Sequence, residues 1–90
     1  MNLCFFRGKI ITIPEFKFII SKDINFKNCR NTSVCKFKLQ LENKTIITIK
    51  TYDGIADFCY RNLNLSDFIF IYGRLNDYFE VDVINLVLQK

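Results

Sequence analysis

Short segments in which apolar and polar residues alternate fill most of this chain, and they constrain its fold more than any other feature. Alternation with a period of two is typical of strands that bury one face. We place five strands, at Leu3–Ile13, Ser33–Leu41, Thr45–Tyr52, Phe68–Leu75 and Tyr78–Leu88. In a chain of 90 residues this pattern predicts a single small domain that covers residues 1–90.

A single helical pattern interrupts the strands. It follows Asp53, which is a suitable N-cap residue, and it ends in the polar segment 62–67. Its apolar stripe consists of Ile55, Ala56, Phe58, Cys59 and Leu63. The resulting order is that of an all-β, five-stranded Greek-key barrel with one short helix between strands 3 and 4.

The connections between the predicted strands differ in length. Pro14 cannot donate to a strand ladder and ends the first strand, and the polar, basic segment Ile20–Thr32 predicts a long loop. Glu42–Lys44 and Asn76–Asp77 predict short turns. Gly8 predicts a bulge or bend, at a point where the first strand serves both sheets of a barrel.

Charge is divided unevenly along the chain. The net charge is +4, and residues 1–50 hold ten Lys and Arg against three acids, whereas residues 51–90 hold three against six. A basic half favours a polyanionic partner, although ordinary scatter of surface charge is the alternative. The sequence has no apolar run near the ~20 residues of a membrane span and no signal or transit pattern. We therefore expect a soluble protein with no membrane partner.

The cysteines and the lack of histidine argue against a metal site and against catalysis. The chain has no His, and its four cysteines show no paired spacing: Cys4, Cys29, Cys35 and Cys59. We expect no metal, no cofactor and reduced thiols in a reducing compartment, with Cys29 in the predicted loop the most reactive. Glu80 and Asp82 share a strand face and are interpreted as solvated charges. We expect no enzyme and no small-molecule substrate, because the usual general base is missing.

Two blocks of the sequence carry motifs. The first consists of Gly8, Ile10, Pro14, Glu15 and Lys17. The second consists of Tyr52, Ala56, Asp57, Leu63, Gly73 and Leu75. They resemble the bacterial-type single-stranded DNA-binding protein (SSB) family, which reads Gly-x-Leu-x-x-x-Pro-Glu-x-Arg in the first block and Phe-Gly-Lys-x-Ala-Glu, a helix and Gly-x-Leu in the second. The resemblance implies an OB-fold barrel and a non-enzymatic protein that coats single-stranded DNA with little sequence preference, in replication, recombination or repair.

The resemblance also implies where a nucleic acid would bind, because OB domains use the outer face of their second and third strands with the flanking loops. That face would present Lys36, Lys38, Thr48, Lys50 and Tyr52. The flanking candidates are Lys22, Phe26, Lys27, Arg30, Arg7 and Lys9. Lysines neutralise phosphates and aromatic rings stack on bases, and Tyr52 occupies the position of a stacking aromatic of the family. The alternative is that outward lysines only keep a sheet face soluble.

Three aromatic residues point outward from the fourth predicted strand, namely Phe68, Phe70 and Tyr72. They could stack on bases, but on a monomer such a stripe would favour aggregation. SSB-family proteins assemble through sheet faces. We therefore interpret the stripe as an interface between copies of the chain and expect a homo-oligomer, either a dimer or a tetramer.

Departures from the family pattern leave other functions open. The chain has no Trp, Ile46 stands where the family has Trp at the start of strand 3, and the hairpin turns are short. A protein-interaction OB module that has lost its nucleic-acid affinity is one alternative. An RNA-binding OB domain is another, because DNA and RNA are distinguished by contacts to the 2′-hydroxyl.

Ile, Asn, Lys, Phe and Tyr make up 45 of the 90 residues. These residues use A/T-rich codons, and no targeting peptide is evident in the sequence. This composition indicates a plastid-encoded SSB-like protein, with the cytoplasm or nucleoid as the alternative location.

Overall fold

The computed structural model describes residues 3–22 and 29–89, with side chains for all of these except residues 20–22 and 29–31. Its elements are β1 (Leu3–Ile10), β2 (Glu15–Lys22), β3 (Cys29–Gln40), β4 (Ile46–Tyr52), α1 (Asp53–Asn62), β5 (Phe68–Leu75) and β6 (Glu80–Gln89). No helix in this part of the chain is long and apolar enough to cross a membrane.

Five of the strands close into a barrel. The order around the sheet is β1-β5-β6-β4-β3, and β1 returns to β3 through the pairs Lys9–Gln40 and Ile10–Leu39. The β4–β6 pair is parallel and the other pairs are antiparallel. With α1 between β4 and β5, this confirms the predicted OB barrel with one short helix.

The predicted long loop Ile20–Thr32 is wrong at both of its ends. β2 continues to Lys22 and β3 already begins at Cys29, and the two strands form an antiparallel ribbon whose register runs from Glu15–Lys36 to Lys22–Cys29. A two-stranded ribbon outside a barrel has no face that must be apolar throughout, so its polar residues do not show the alternation that predicts strands. The first predicted strand is correspondingly shorter and ends at Ile10.

Alternate residues of the barrel strands form the core. The largest fully buried side chains in the barrel include Ile10, Phe37, Leu39, Ile49, Ile69 and Ile71. Helix α1 contributes Ala56 and Cys59 to the core, and its C-cap residue Leu63 is buried with them, as the apolar stripe predicts. Two details differ from these patterns: Phe58 is exposed, and Val34, on the same side of β3 as Lys36, is fully buried beside Cys35. Since successive strand residues point to opposite faces, β3 is covered on both faces at this point.

The start of α1 also differs from expectation. The helix includes Asp53, and its N-cap is Tyr52, which has extended backbone angles and no capping hydrogen bond from its side chain. Asp53 itself has a φ of 53°, in the left-handed region. Asp53 therefore lies in the first turn of the helix, where its negative charge still interacts favourably with the positive end of the helix dipole.

Gly8 is needed at the point where β1 meets β3. A Cβ on this residue would lie 2.7 Å from the main-chain oxygen of Gln40 and 2.7 Å from Cγ of Leu39. The close approach, and not a bulge at Gly8, is the reason for glycine here. The bulge lies instead between β5 and β6, at Tyr72 and Gly73.

Candidate nucleic-acid interface

The five residues predicted for the outer face of the second and third barrel strands lie together on β3 and β4. Lys36 pairs with Lys50 and Lys38 pairs with Thr48 across the two strands. Lys38 is exposed, and Lys36, Lys50, Thr48 and Tyr52 are half-buried. We call this set the lysine face. Residues directly opposite in an antiparallel pair lie about 5 Å apart, so the cations of the lysine face are close neighbours.

Two carboxylates of β6 border the lysine face, because β6 runs parallel to β4 with Glu80 beside Thr48 and Asp82 beside Lys50. Glu80 Oε2 lies 2.9 Å from Lys36 Nζ, and Glu80 Oε1 lies 3.6 Å from Lys50 Nζ. The hydrogen bond from Lys36 is the main cause that lowers the pKa of Glu80, and Asn76 and Lys50 lower it further against the effect of burial. Glu80 is thus an ionised partner of two lysines and not the solvated charge that the sequence indicated.

The second carboxylate holds Tyr52. The Tyr52 hydroxyl donates to Asp82 Oδ1 at 3.0 Å. Burial, followed by this hydrogen bond and the charges of Asp82 and Glu80, raises the pKa of Tyr52 to about 12. Asn76 Nδ2 donates to the same Asp82 oxygen at 3.3 Å and to Glu80 Oε1 at 3.4 Å. The ring of Tyr52 is therefore fixed on the lysine face by its own hydroxyl.

A cleft of about 280 Å³ extends the lysine face towards the segment between β1 and β2. Its lining includes Thr12, Ile13 and Glu15 on one side and Lys36, Lys38 and Thr48 on the other. Thr12 Oγ1 accepts a hydrogen bond from the main-chain N–H of Lys38 at 2.8 Å, which ties the segment to β3. The cleft thus continues the lysine face with the side chains of the segment between β1 and β2.

The sequence interpretation missed two aromatic residues in the turn between β5 and β6. Tyr78 and Phe79 are 81% and 82% exposed. Asn76 orders this turn, because its Oδ1 accepts the main-chain N–H groups of Tyr78 at 2.8 Å and Glu80 at 3.0 Å. Phe79 has a φ of 59°, a strained conformation for a bulky residue. Phe79 directly precedes Glu80, the β6 residue that contacts Lys36 and Lys50.

The flanking candidates are distributed over other parts of the fold. Lys22 lies at the end of β2 and Arg30 near the start of β3, on the ribbon. Phe26 and Lys27 lie outside the described residues. Arg7 and Lys9 lie on β1, and the Arg7 guanidinium is 4.6 Å from the ring centre of Phe68 and donates to Gln89 Oε1 at 2.9 Å. Arg7 thus belongs with the aromatic stripe and not with the lysine face.

The predicted stripe of Phe68, Phe70 and Tyr72 is part of a larger apolar surface. Phe5 of β1 is 68% exposed, and its ring centre lies 6.0 Å from that of Phe70. Val87 of β6 is also exposed and shares a small cleft with Phe5, Phe70 and Tyr72. We call Phe5, Phe68, Phe70, Tyr72 and Val87 the aromatic face. Its members come from three adjacent strands, β1, β5 and β6.

The cysteines and acids show no metal site in the described part of the chain, where no three His, Cys, Asp or Glu side chains form a group that could hold an ion. Cys35 and Cys59 are buried, and burial raises the pKa of Cys35 to about 11 and that of Cys59 to about 12. Such thiols are poor nucleophiles near neutral pH. Cys29 begins β3, and its greater reactivity stays a prediction.

Comparison with known proteins identifies the fold. No protein-family model and no curated protein matches the sequence. Among solved structures, the single-stranded DNA-binding protein of Thermus aquaticus superposes with a TM-score of 0.76 at 19% identity, over 100% of this chain and 41% of that one. The SSB domain of a Synechococcus protein gives a TM-score of 0.72 at 16% identity, over 96% of this chain and 93% of the domain.

A third structure, the small single-stranded DNA-binding protein of Streptomyces coelicolor, gives a TM-score of 0.62 at 14% identity and covers 99% of this chain and 95% of that one. This chain spans about two fifths of the Thermus protein but nearly all of the other two. The likeness confirms, for the fold, the resemblance that the two sequence blocks indicated.

Proposed function

We propose that the protein binds single-stranded DNA, without marked sequence preference, along the lysine face. The observation that carries this proposal is the cross-strand cluster of Lys36, Lys38 and Lys50 on the outer face of β3 and β4. OB folds bind oligonucleotides on this face, and the solved structures of the same fold are those of single-stranded DNA-binding proteins. A row of cations with aromatic rings beside it suits a phosphate backbone with unstacked bases.

The stacking groups of the proposed site are Tyr52 on β4 and Tyr78 and Phe79 in the β5–β6 turn. Tyr52 is held in place by Asp82, and the two turn residues are almost fully exposed. Bases stack on such rings with about 1–3 kcal/mol each, whatever their sequence. Lys22 and Arg30, which belong to the two strands of the ribbon, and Lys27 and Phe26 stay candidates for further contacts with the nucleic acid.

We further propose that the aromatic face joins copies of the chain into a dimer or tetramer. It combines exposed aromatic rings with Arg7, a composition that is enriched in interfaces. The charged lysine face lies on other strands, so an assembly through the aromatic face would leave the binding surface open.

We also propose a role in replication, recombination or repair, which fits the binding of single-stranded DNA. A plastid origin is proposed as well, because half of the residues are of types that use A/T-rich codons.

Fluorescence anisotropy with labelled oligo-dT, oligo-U and duplex DNA at two salt concentrations tests the function. We expect dT strands of about ten or more nucleotides to bind more tightly than duplex, with log affinity falling at about 0.7 per neutralised phosphate against log salt. Tighter binding of oligo-U would instead favour an RNA-binding domain. No binding to either strand at low salt would contradict the proposal and favour a protein-interaction module.

A further inference from the structure

We propose that Glu80 occupies the place of a DNA phosphate on the lysine face and acts as a built-in competitor that a bound strand must displace. This inference rests on the proposed single-strand binding, and it makes Glu80 a determinant of how tightly and with what salt dependence the face binds. Glu80 belongs to β6, whereas the lysines belong to β3 and β4.

The geometry of Glu80 is that of an anion held between two cations. Its two carboxylate oxygens contact different ammonium groups, at 2.9 Å for Lys36 and 3.6 Å for Lys50. Its side chain is only 14% exposed. Because Lys36 and Lys50 are direct cross-strand partners and Glu80 contacts both, an anion bound between them would take the place of its carboxylate. A phosphate that reached both lysines would meet the carboxylate first.

The turn before β6 holds Glu80 in this position. Asn76 Oδ1 accepts the main-chain N–H of Glu80 at 3.0 Å, and Asn76 Nδ2 donates to Glu80 Oε1 at 3.4 Å. The main-chain N–H of Asn76 also donates to the Glu80 carbonyl at 2.8 Å. A competitor fixed in this way has a high effective concentration that dilution does not reduce.

Displacement of Glu80 changes the salt dependence of binding. A lysine that neutralises a phosphate releases about 0.7 of a cation from a single strand. When Lys36 or Lys50 makes this contact, however, Glu80 loses its counter-charge and stands beside the DNA, where it attracts a cation in turn. Uptake of that cation offsets the release from one phosphate contact, so a phosphate held between these two lysines should contribute little to the salt slope.

Lys38 provides the contrast within the same face. It is exposed on β3, two residues from Lys36, and within residues 3–22 and 29–89 it has no ion pair. Contact between Lys38 and a phosphate therefore displaces no carboxylate. The lysine face thus holds a masked pair, Lys36 and Lys50, which are ion-paired with Glu80, and an unmasked lysine, Lys38, which is not. A salt titration of binding distinguishes the two kinds of lysine.

The test is a double-mutant cycle with an oligo-dT probe titrated over a series of salt concentrations. We expect Glu80→Gln to bind about two- to fivefold more tightly than the unsubstituted protein, as loss of a partly screened ion pair allows. The salt slope should become steeper by about 0.7, because one carboxylate offsets the cation release of one phosphate contact. Lys36→Met should change the slope little on its own but reduce it by about 0.7 in the Glu80→Gln background.

Two controls complete the cycle. Asp57→Asn removes the same charge from α1 and releases Arg61 from an ion pair of 3.1 Å, so it reproduces the change in net charge away from the lysine face. It should leave affinity and slope nearly unchanged. Lys38→Met should reduce the slope by about 0.7 in both backgrounds. Circular dichroism of each variant verifies that it is folded.

The outcomes separate this inference from the proposed function. Unchanged or weaker binding of Glu80→Gln, with the unsubstituted protein still bound to dT, overturns the inference alone and indicates that Glu80 positions the lysines. An equal gain in Asp57→Asn overturns it as well, since net charge then explains the effect. Binding that emerges only in Glu80→Gln supports masking. A lack of binding in both proteins contradicts the proposed function and the inference together.

Discussion

The aromatic side chains of the proposed stacking groups differ in how firmly the fold holds them. Tyr52 is fixed by the hydrogen bond to Asp82, whereas Tyr78 and Phe79 project from a turn. Ile46, two residues before Thr48 on the same side of β4, is 54% exposed and offers no ring for stacking. The lysine face therefore has an open apolar position at the end where β4 begins.

Ile46→Trp tests whether DNA passes this position. The chain contains no Trp, so an indole introduced there is the only one in the protein and reports its own surroundings. We expect dT to quench its emission, and the added stacking to strengthen binding by up to about 1–3 kcal/mol. Tyr60→Trp, on the exposed side of α1, is the matched control and should not be quenched. Equal quenching in both variants would show that the signal is not specific to the lysine face.

For single residues, the sequence predicted the positions of the lysines better than the acidic groups that contact them. Strand alternation correctly placed Lys36, Lys38 and Lys50 on one outer face. It could not predict that Glu80 stands among them, because the parallel register of β4 against β6 joins strands far apart in the chain. The sequence did contain a signal that Tyr78 and Phe79 are not both buried. Consecutive strand residues point to opposite faces, so two adjacent aromatic residues after a turn cannot both point into the core from a regular strand.

Two glycines allow neighbouring strands of the barrel to approach each other closely. Gly8 allows β1 to reach β3, and Gly73 allows β5 to approach β6 beside the bulge, where a Cβ would lie 2.6 Å from the Asp82 main-chain oxygen. Gly54, in α1, has no atom within 4 Å of the place a Cβ would take. The three glycines therefore differ sharply in what alanine would do.

Gly8→Ala should destabilise the barrel by about 1–3 kcal/mol, because the new methyl group collides with the main chain of β3 and the two strands must separate. Gly54→Ala should leave stability unchanged or raise it by up to about 1 kcal/mol, because alanine favours a helix more than glycine does. Urea unfolding of both variants beside the unsubstituted protein measures these differences. Equal stability of all three would contradict the close approach of β1 and β3.

The order of elements was predictable from local pattern, whereas the ribbon was not. Barrel strands bury one face, so β3, β4 and β5 carry alternating apolar residues such as Phe37, Ile49 and Ile71. The outer part of the β2–β3 ribbon pairs residues such as Ser21 with Arg30 and Ile20 with Asn31. Its strands are held by main-chain hydrogen bonds, which leave little trace in the hydrophobic pattern.

The whole molecule presents two outer surfaces of opposite character, and β6 contributes to both. Near its start, Glu80 and Asp82 border the lysine face; near its end, Val87 joins the aromatic face. The bulge explains why Glu80 and Asp82 point outward near the start of β6 and Val87 points outward near its end. Tyr72 pairs with Asn85 and Gly73 with Val83, so that Ile84 is an extra residue in β6. An extra residue reverses which side chains point outward beyond it. One strand can thus supply carboxylates to one surface and an apolar side chain to the other.

Phe70→Glu tests whether the aromatic face joins copies of the chain. Phe70 contacts Phe5 at the centre of that face, while its neighbours Ile69 and Ile71 point into the core and are fully buried. A carboxylate buried between two subunits loses its hydration, and one ion pair with the neighbouring Arg7 does not recover that cost, so we expect dissociation of the assembly with the barrel still folded. Light scattering at tens of micromolar should show a multiple of the 10.7 kDa chain for the unsubstituted protein and the single chain for the variant.

Phe58→Glu is the matched control for this experiment, because it makes the same change at an exposed phenylalanine of α1, outside the aromatic face. It should leave the molecular mass of the assembly unchanged. Circular dichroism distinguishes dissociation from unfolding, since a folded monomer keeps the strand signal. Dissociation should also leave dT binding per chain in place at low salt, because the lysine face is complete within one chain. A monomeric unsubstituted protein at these concentrations would rule out the interface and leave the aromatic face free for stacking on bases.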